Sequence, residues 1–314
     1  MTILLIHTGG TISMVKSSHG FEPKAGVVEE FVNLQVRDSF PGLDIDVCVL
    51  SPLIDSANAT PADWNRVAQQ IADCHERYEG FVVTHGTDTL AYTSAALCFA
   101  LEGLDKPVVL TGSMLPLTVE GNDAVANLLG AFQCVVEAPA GVWVHFCGQR
   151  LHGARIYKTH SRRHDAFGSM ASDVLPIWSS PNLTRHAARS AKVATVAVAP
   201  GMMEGVLQFA TSECDGLVLR CYGSGTVPET PTFRQALVAA AGRGVPVLAV
   251  SQCPEGGIAL GTYAAGAVLV ECGVIDGREM TLEAAYTKMV FALSIHAALE
   301  QQKSFLETSV AGEF

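Results

Sequence analysis

Charge is scarce in this chain of 314 residues: only 16% is Asp, Glu, Lys or Arg, and acidic residues outnumber basic ones 31 to 20. The resulting net charge of −11 argues against nucleic acid as a partner, because a phosphate backbone is met by a basic stripe. The nearest thing to one is Arg162-Arg163 beside His160 and His164, which reads as a solvated turn. Long apolar runs are missing too. The chain is 49% hydrophobic with a mean hydropathy of +0.29, yet stretches such as Ile3–Ile6 and Val247–Val250 have strand length. They fall far short of the ~20 residues of a membrane span. A sheet covered on both faces, or a large subunit interface, accommodates the excess. The nine cysteines form no C-x-x-C arrangement, so neither a zinc site nor a disulfide framework is expected, and reduced thiols suit a cytoplasmic protein. The first strand starts directly after Met1, which leaves no room for a secretory leader. Neither G-x-x-x-x-G-K-[ST] nor G-x-G-x-x-G occurs, so no nucleotide is expected. No metal or other cofactor is expected either.

What is present alternates. A strand at Ile3–Ile6 ends in a glycine-rich turn. Thr60, Pro61 and Asp63 mark the start of a helix running to about Tyr78. Strand Gly80–Thr84 is followed by a helix over Thr89–Leu101. Strand Pro107–Leu110, helix Asp123–Val136 and strand Val142–Phe146 come next. Strands alternating with helices predict an α/β fold built on a parallel sheet. Ser179–Lys192, with its Ser-Ser-Pro-Asn start and basic residues, reads as an interdomain linker. It divides an N-terminal domain, 1–178, from a C-terminal α/β domain, 193–314. In the latter we expect strands at Ala194–Val198, Gly216–Cys221 and Val247–Val250, a helix over Thr232–Ala241, and one last helix from about Leu282 to Gln301.

Parallel α/β sheets bind ligands at the carboxyl ends of their strands. Two strands here run into polar, glycine-linked loops: His7-Thr8-Gly9-Gly10-Thr11 and Thr84-His85-Gly86-Thr87-Asp88-Thr89. Each puts a threonine just past a glycine, where a backbone can approach a ligand closely. Taken singly they are ambiguous: the first could be a plain tight turn, the second a helix cap, and His85 reads as structural rather than as a base.

Together, and in this order, the two loops resemble the signature motifs of the asparaginase family. Asp55-Ser56-Ala57-Asn58-Ala59-Thr60-Pro61, Lys106 through Ser113, Tyr157-Lys158-Thr159-His160 and, further on, Arg220-Cys221-Tyr222-Gly223-Ser224-Gly225 and Ser251-Gln252-Cys253 extend the resemblance over the whole chain, nearest to the cytoplasmic type I branch. The resemblance implies a two-domain fold with the larger domain N-terminal, a homodimer or homotetramer, and hydrolysis of the side-chain amide of asparagine. It implies a threonine nucleophile, for which Thr11 is the candidate, with Thr87, Asp88 and Lys158 as a second catalytic relay. Ser56, Ala57, Thr87, Asp88 and Ser113 would line the substrate site, and a small-molecule amide would be the partner. Ser13–Gly26 would be a mobile lid carrying Phe21.

The sequence also departs from the family. Phe21 stands where the lid usually carries a tyrosine, and loss of a proton-transfer partner can cost on the order of 10²–10⁴ in rate. Ala57 and Thr226 replace polar residues, and Tyr157 is bulkier than expected beside Lys158. These changes leave open a shifted substrate (glutamine, or a D- or N-substituted amide) and a non-catalytic amino-acid-binding homologue. An amidotransferase subunit fits the net charge poorly.

Overall fold

The computed structural model describes residues 1–18 and 20–314. The chain divides into two compact units, Met1–Arg185 and His186–Phe314.

The N-terminal unit opens with β1 (Thr2–Gly9), a hairpin of β2 (Met14–Ser17) and β3 (Gly20–Pro23), and a helical stretch formed by α1 (Val27–Phe31), a π turn and α2 (Arg37–Ser39). β4 (Asp44–Ile54), α3 (Pro61–Cys74), β5 (Gly80–Thr84), α4 (Leu90–Ala100) and the short β6 (Leu101–Glu102) follow. β7 (Pro107–Thr111), α5 (Ala124–Glu137), β8 (Gly141–Phe146) and β9 (Gln149–His152) complete the main sheet. Beyond it lie β10 (Ile156–Lys158), β11 (Phe167–Ser169) and β12 (Thr184–Arg185). The six-stranded sheet has the order β4-β1-β5-β7-β8-β9 and is parallel except for β9, which runs antiparallel to β8.

Its inner strands β1, β5, β7 and β8 are almost continuously buried and largely apolar because both faces are covered. Ile3, Leu5, Val82 and Val109 pack with the first helical stretch and α5, while α3 and α4 lie against β1, β7 and β8. α4 shows how complete that cover is: every residue of it except Tyr92 is buried. Burying each large apolar side chain contributes about 1.5–3 kcal/mol, and the polar ones are partnered. Ser94, for instance, donates to Gly153 O at 2.7 Å. α3 starts as its sequence signals, the Asp63 carboxylate accepting from Thr60 N at 2.9 Å, but its α-helical part stops at Cys74 and a 3-10 turn, His75–Arg77, continues it.

The C-terminal unit carries β13 (Val193–Ala197), α6 (Gly205–Glu213), β14 (Gly216–Cys221), α7 (Pro231–Arg243), β15 (Val247–Ser251), α8 (Ala267–Glu271), β16 (Ile275–Asp276), α9 (Leu282–Ile295) and α10 (Leu299–Glu307). Its sheet, β13-β14-β15-β16, is parallel throughout. Leu207, Phe233, Leu237 and Leu269 cover one face, and α9 covers the other.

One helix differs from its sequence reading. The last helix is not continuous: at His296 the backbone turns extended and α10 folds back on α9. The buried Lys288 of α9 explains the fold-back, since its ammonium needs partners and takes the carbonyls of Leu306 and Thr308. The division between the two units, after Arg185, falls within residues 179–192, the segment read as a linker. Thr184–Arg185 pair with Leu101–Glu102 in the N-terminal unit, while Arg189 N and Lys192 N donate to Ser294 Oγ and Asp215 Oδ2 in the C-terminal unit.

Candidate active site

In the main sheet β1 is flanked by β4 on one side and β5 on the other, so the chain leaves β1 in one direction and β5 in the other. This reversal of strand order opens a crevice at the carboxyl ends, and the loops that follow β1, β4, β5 and β7 meet there.

Glycines let these loops touch. Gly10 has a φ of 85°, and a Cβ on it would collide with the backbone of Gly86. A Cβ on Gly86 would in turn strike the Ser56 side chain. The Thr11 and Thr87 loops are thus packed backbone to backbone, with the Ser56 side chain against Gly86. Thr89 Oγ1 adds a hydrogen bond of 2.8 Å to Ser56 O, and the Asp55 carboxylate caps the 3-10 turn Ser56–Asn58 by accepting from Ala57 N at 3.2 Å. Ser56 is buried and Ala57 exposed.

Lys158, the last residue of β10, reaches this edge. Its Nζ donates to Asp88 Oδ1 at 2.7 Å and to Thr87 Oγ1 at 2.9 Å. Thr87 is buried, Lys158 one-fifth exposed and Asp88 two-thirds exposed, so the ammonium links a dry hydroxyl to a wet carboxylate. Thr11 opens a 3-10 turn directly after Gly10 and is half-buried.

His85 lies next to these groups but is spoken for. Its Nδ1–H donates to Gly86 O at 2.8 Å, which leaves Nε2 to accept from Thr93 Oγ1 at 3.0 Å. Burial pushes its pKa below the ordinary value, and the ring is a neutral strut. His7, on β1, contacts Thr84 Oγ1 at 2.7 Å and is likewise pushed down by burial, with Glu29 pulling the other way.

Two expected residues sit differently from the rest. Ser113 is fully buried and donates to Leu115 O at 2.6 Å. Phe21 is half exposed on the β2–β3 hairpin, paired with Lys16. In that hairpin Ser17 donates to Glu22 at 2.9 Å, and the part of the expected lid at His19 lies outside the described residues.

Sequence reading passed over Asp123 and Asn127. The Asp123 carboxylate accepts from Met114 N at 2.9 Å and from Leu115 N at 2.9 Å. Asn127, buried on α5, donates to Gly112 O at 3.0 Å and accepts from Cys147 N at 2.9 Å. The two hold the loop after β7 in place. The available signal was an Asp and an Asn four residues apart on the buried face of an apolar helix, where a polar side chain needs a structural task. Among the described residues no three His, Cys, Asp or Glu side chains converge as metal ligands.

Comparison with known proteins assigns the family. Residues 2–189 match the family model "Asparaginase, N-terminal", and residues 192–306 match "Glutaminase/Asparaginase C-terminal domain". L-asparaginase 1 of Escherichia coli is 34% identical, with 99% of this chain and 97% of that protein covered. L-asparaginase of Thermococcus kodakarensis is 33% identical over 100% of this chain and 99% of its own, and its solved structure superposes with a TM-score of 0.87. The crystal structure of L-asparaginase I from Vibrio cholerae gives a TM-score of 0.88 at 32% identity, covering 99% of this chain and 98% of that one. Both halves of the chain thus match one family in order, and the chain belongs to the asparaginase/glutaminase family of amidohydrolases.

Proposed function

We propose that this protein hydrolyses the side-chain amide of L-asparagine to aspartate and ammonia, with Thr11 as the nucleophile. The observation that carries the reading is the relay Thr87–Lys158–Asp88, hydrogen-bonded at the carboxyl edge of the sheet against the loop that holds Thr11. In the first stage the Thr11 hydroxyl attacks the amide carbon, its proton passes to the leaving nitrogen, the C–N bond breaks and ammonia departs. In the second stage water attacks the resulting ester and Thr11 is released with aspartate. The Lys158 ammonium polarises Thr87 Oγ1 while Asp88 holds its charge, so Thr87 can orient water or carbonyl oxygen.

The exposed Asp88 carboxylate suits the substrate ammonium, and the Ser56 turn suits its carboxylate, with Ala57 leaving open space beside them. The names of the relatives favour L-asparagine over the alternatives raised by Phe21 and Ala57. We further place the protein in the cytoplasm as a homodimer or homotetramer. In support, Cys74, Cys134, Cys214 and Cys221 are buried free thiols, and among the described residues no helix is long and apolar enough to cross a membrane. The test is ammonia release from L-asparagine by the wild type and by Thr11→Val and Thr87→Val. Both variants should lose turnover while keeping the wild-type unfolding temperature. Full activity in either would remove that threonine from the mechanism.

A further inference from the structure

His7 lies on β1, upstream of Thr11 on the same strand and turn, and is fully buried. Side chains alternate along a strand, so His7 shares a sheet face with Ile3 and Leu5, which pack against Val28, Phe31 and Val32 of the first helical stretch. Glu29 of α1 acts on the ring from that side: burial pushes the His7 pKa down and Glu29 pulls it back up. Across β4 and β5 the neighbours in register are the uncharged Val49 and Thr84. His7 Nε2 and Glu29 Oε2 are both sealed from solvent and have no hydrogen-bond partner among the described residues. The other Glu29 oxygen accepts from Gly26 N at 3.0 Å, where the chain leaves the β2–β3 hairpin.

Donor accounting fixes the tautomer of His7. The Thr84 hydroxyl is buried, and the acceptor beside it is His7 Nδ1 at 2.7 Å. A buried hydroxyl spends its hydrogen on the acceptor it has. Nδ1 therefore carries the lone pair and Nε2 the proton, an arrangement the Glu29 carboxylate favours electrostatically. The neutral ring holds Thr84 by its side chain, while Thr8 Oγ1 holds the same residue by its carbonyl at 2.6 Å. Thr84 ends β5 and begins the loop that carries Thr87. A second proton, on Nδ1, would point one donor at another. The Thr84 hydroxyl would have to turn away, and the clamp at the base of the loop would open. His85 is a separate case, its ring committed to Gly86 O and, toward α4, to Thr93 Oγ1.

We propose that His7 is a positioning residue for amide hydrolysis: in its neutral form it clamps Thr84 and so seats Thr87, with Glu29 as its electrostatic partner. The inference rests on the reading of Thr87 as part of the catalytic relay.

The test follows the full chain between pH 8 and pH 5 with ¹³C-labelled histidine and threonine, the His7 and Thr87 signals being assigned with His7→Gln and Thr87→Val. Glu29→Gln is the probe, because its amide oxygen keeps the cap on Gly26 while its charge is gone. In the wild type the Thr87 methyl signal should change with the His7 midpoint, and kcat for ammonia release from L-asparagine should fall through that midpoint as the pH drops. In Glu29→Gln all three should move together to lower pH, by about half a unit or more, because the charge that favours the imidazolium is lost. A His7 midpoint unmoved in Glu29→Gln would overturn the pairing. A Thr87 signal blind to His7, or a kcat limb that stays while His7 moves, would overturn the positioning role. A wild type that releases no ammonia at any pH would count against the amide reading, and the Thr87 signal would still decide whether the clamp operates.

Discussion

At the scale of single residues, the account rests on the Lys158 ammonium between two acceptors. Lys158→Met removes the charge and keeps much of the packing volume. It should lower kcat by about 10²–10⁴-fold, and steady-state ammonia release checks this. Phe21→Tyr should raise kcat on L-asparagine, because it returns a hydroxyl to a ring on the hairpin beside the Thr11 turn; a fall in kcat would mean the pocket is built around the plain ring. Thr87 and Asp88 stand out in the sequence because they sit in a polar, glycine-linked loop, whereas Lys158 in Tyr157-Lys158-Thr159-His160 is reached only through the resemblance to the family. Asp123 and Asn127 were passed over. Their task is to satisfy backbone groups at 112, 114, 115 and 147, and their one local signal, two polar side chains four residues apart on an apolar helix, does not say which groups they serve. Asn127→Leu should therefore loosen the loop after β7, reducing kcat/KM more than it lowers the unfolding temperature.

At the scale of elements, the central strands and helices could be read because covered parallel strands are continuously apolar and helices carry caps. β4 escaped the reading: this edge strand alternates in exposure and includes Asp44, Asp46 and Pro52, so it reads as polar loop. The α9–α10 break escaped as well, since its cause is a contact between Lys288 and carbonyls some twenty residues on. Glycine spacing was read as allowing close approach to a ligand, whereas Gly10 and Gly86 chiefly allow the loops to approach each other. Gly86→Ala should destabilise the N-terminal unit by about 1–3 kcal/mol, the usual cost of an overpacked methyl, and lose activity along with it. Denaturant unfolding measures the first effect, and a Gly86→Ala protein of wild-type stability would contradict the packing argument.

At the scale of the whole molecule, two buried electrostatic features govern stability. In the C-terminal unit Lys288 and Glu313 are both fully buried and lie 2.5 Å apart, with the Phe314 ring 4.7 Å from the ammonium. Glu313→Ala strands that ammonium and should cost about 3–5 kcal/mol. Lys288→Met combined with Glu313→Leu should recover most of the loss, which unfolding midpoints would show. In the N-terminal unit His7, His85 and His145 all have pKa values lowered from 6.5, chiefly by burial. Below pH 6.5 the unfolded chain takes up protons that these folded rings refuse. Stability is therefore full above that pH and declines as the pH falls toward the folded values. The slope is up to ~1.4 kcal/mol per pH unit for each ring. Unfolding temperatures between pH 7.5 and 5 check the sign, and a protein more stable at pH 5.5 than at pH 7.5 would reverse it.

The catalytic claim is met most directly by ammonia release from L-asparagine, measured for the wild type against Thr11→Val at equal concentration. Rapid release by the wild type and none by a folded Thr11→Val is the predicted result. Release that survives the substitution, or a wild type that liberates no ammonia from L-asparagine, would contradict the account.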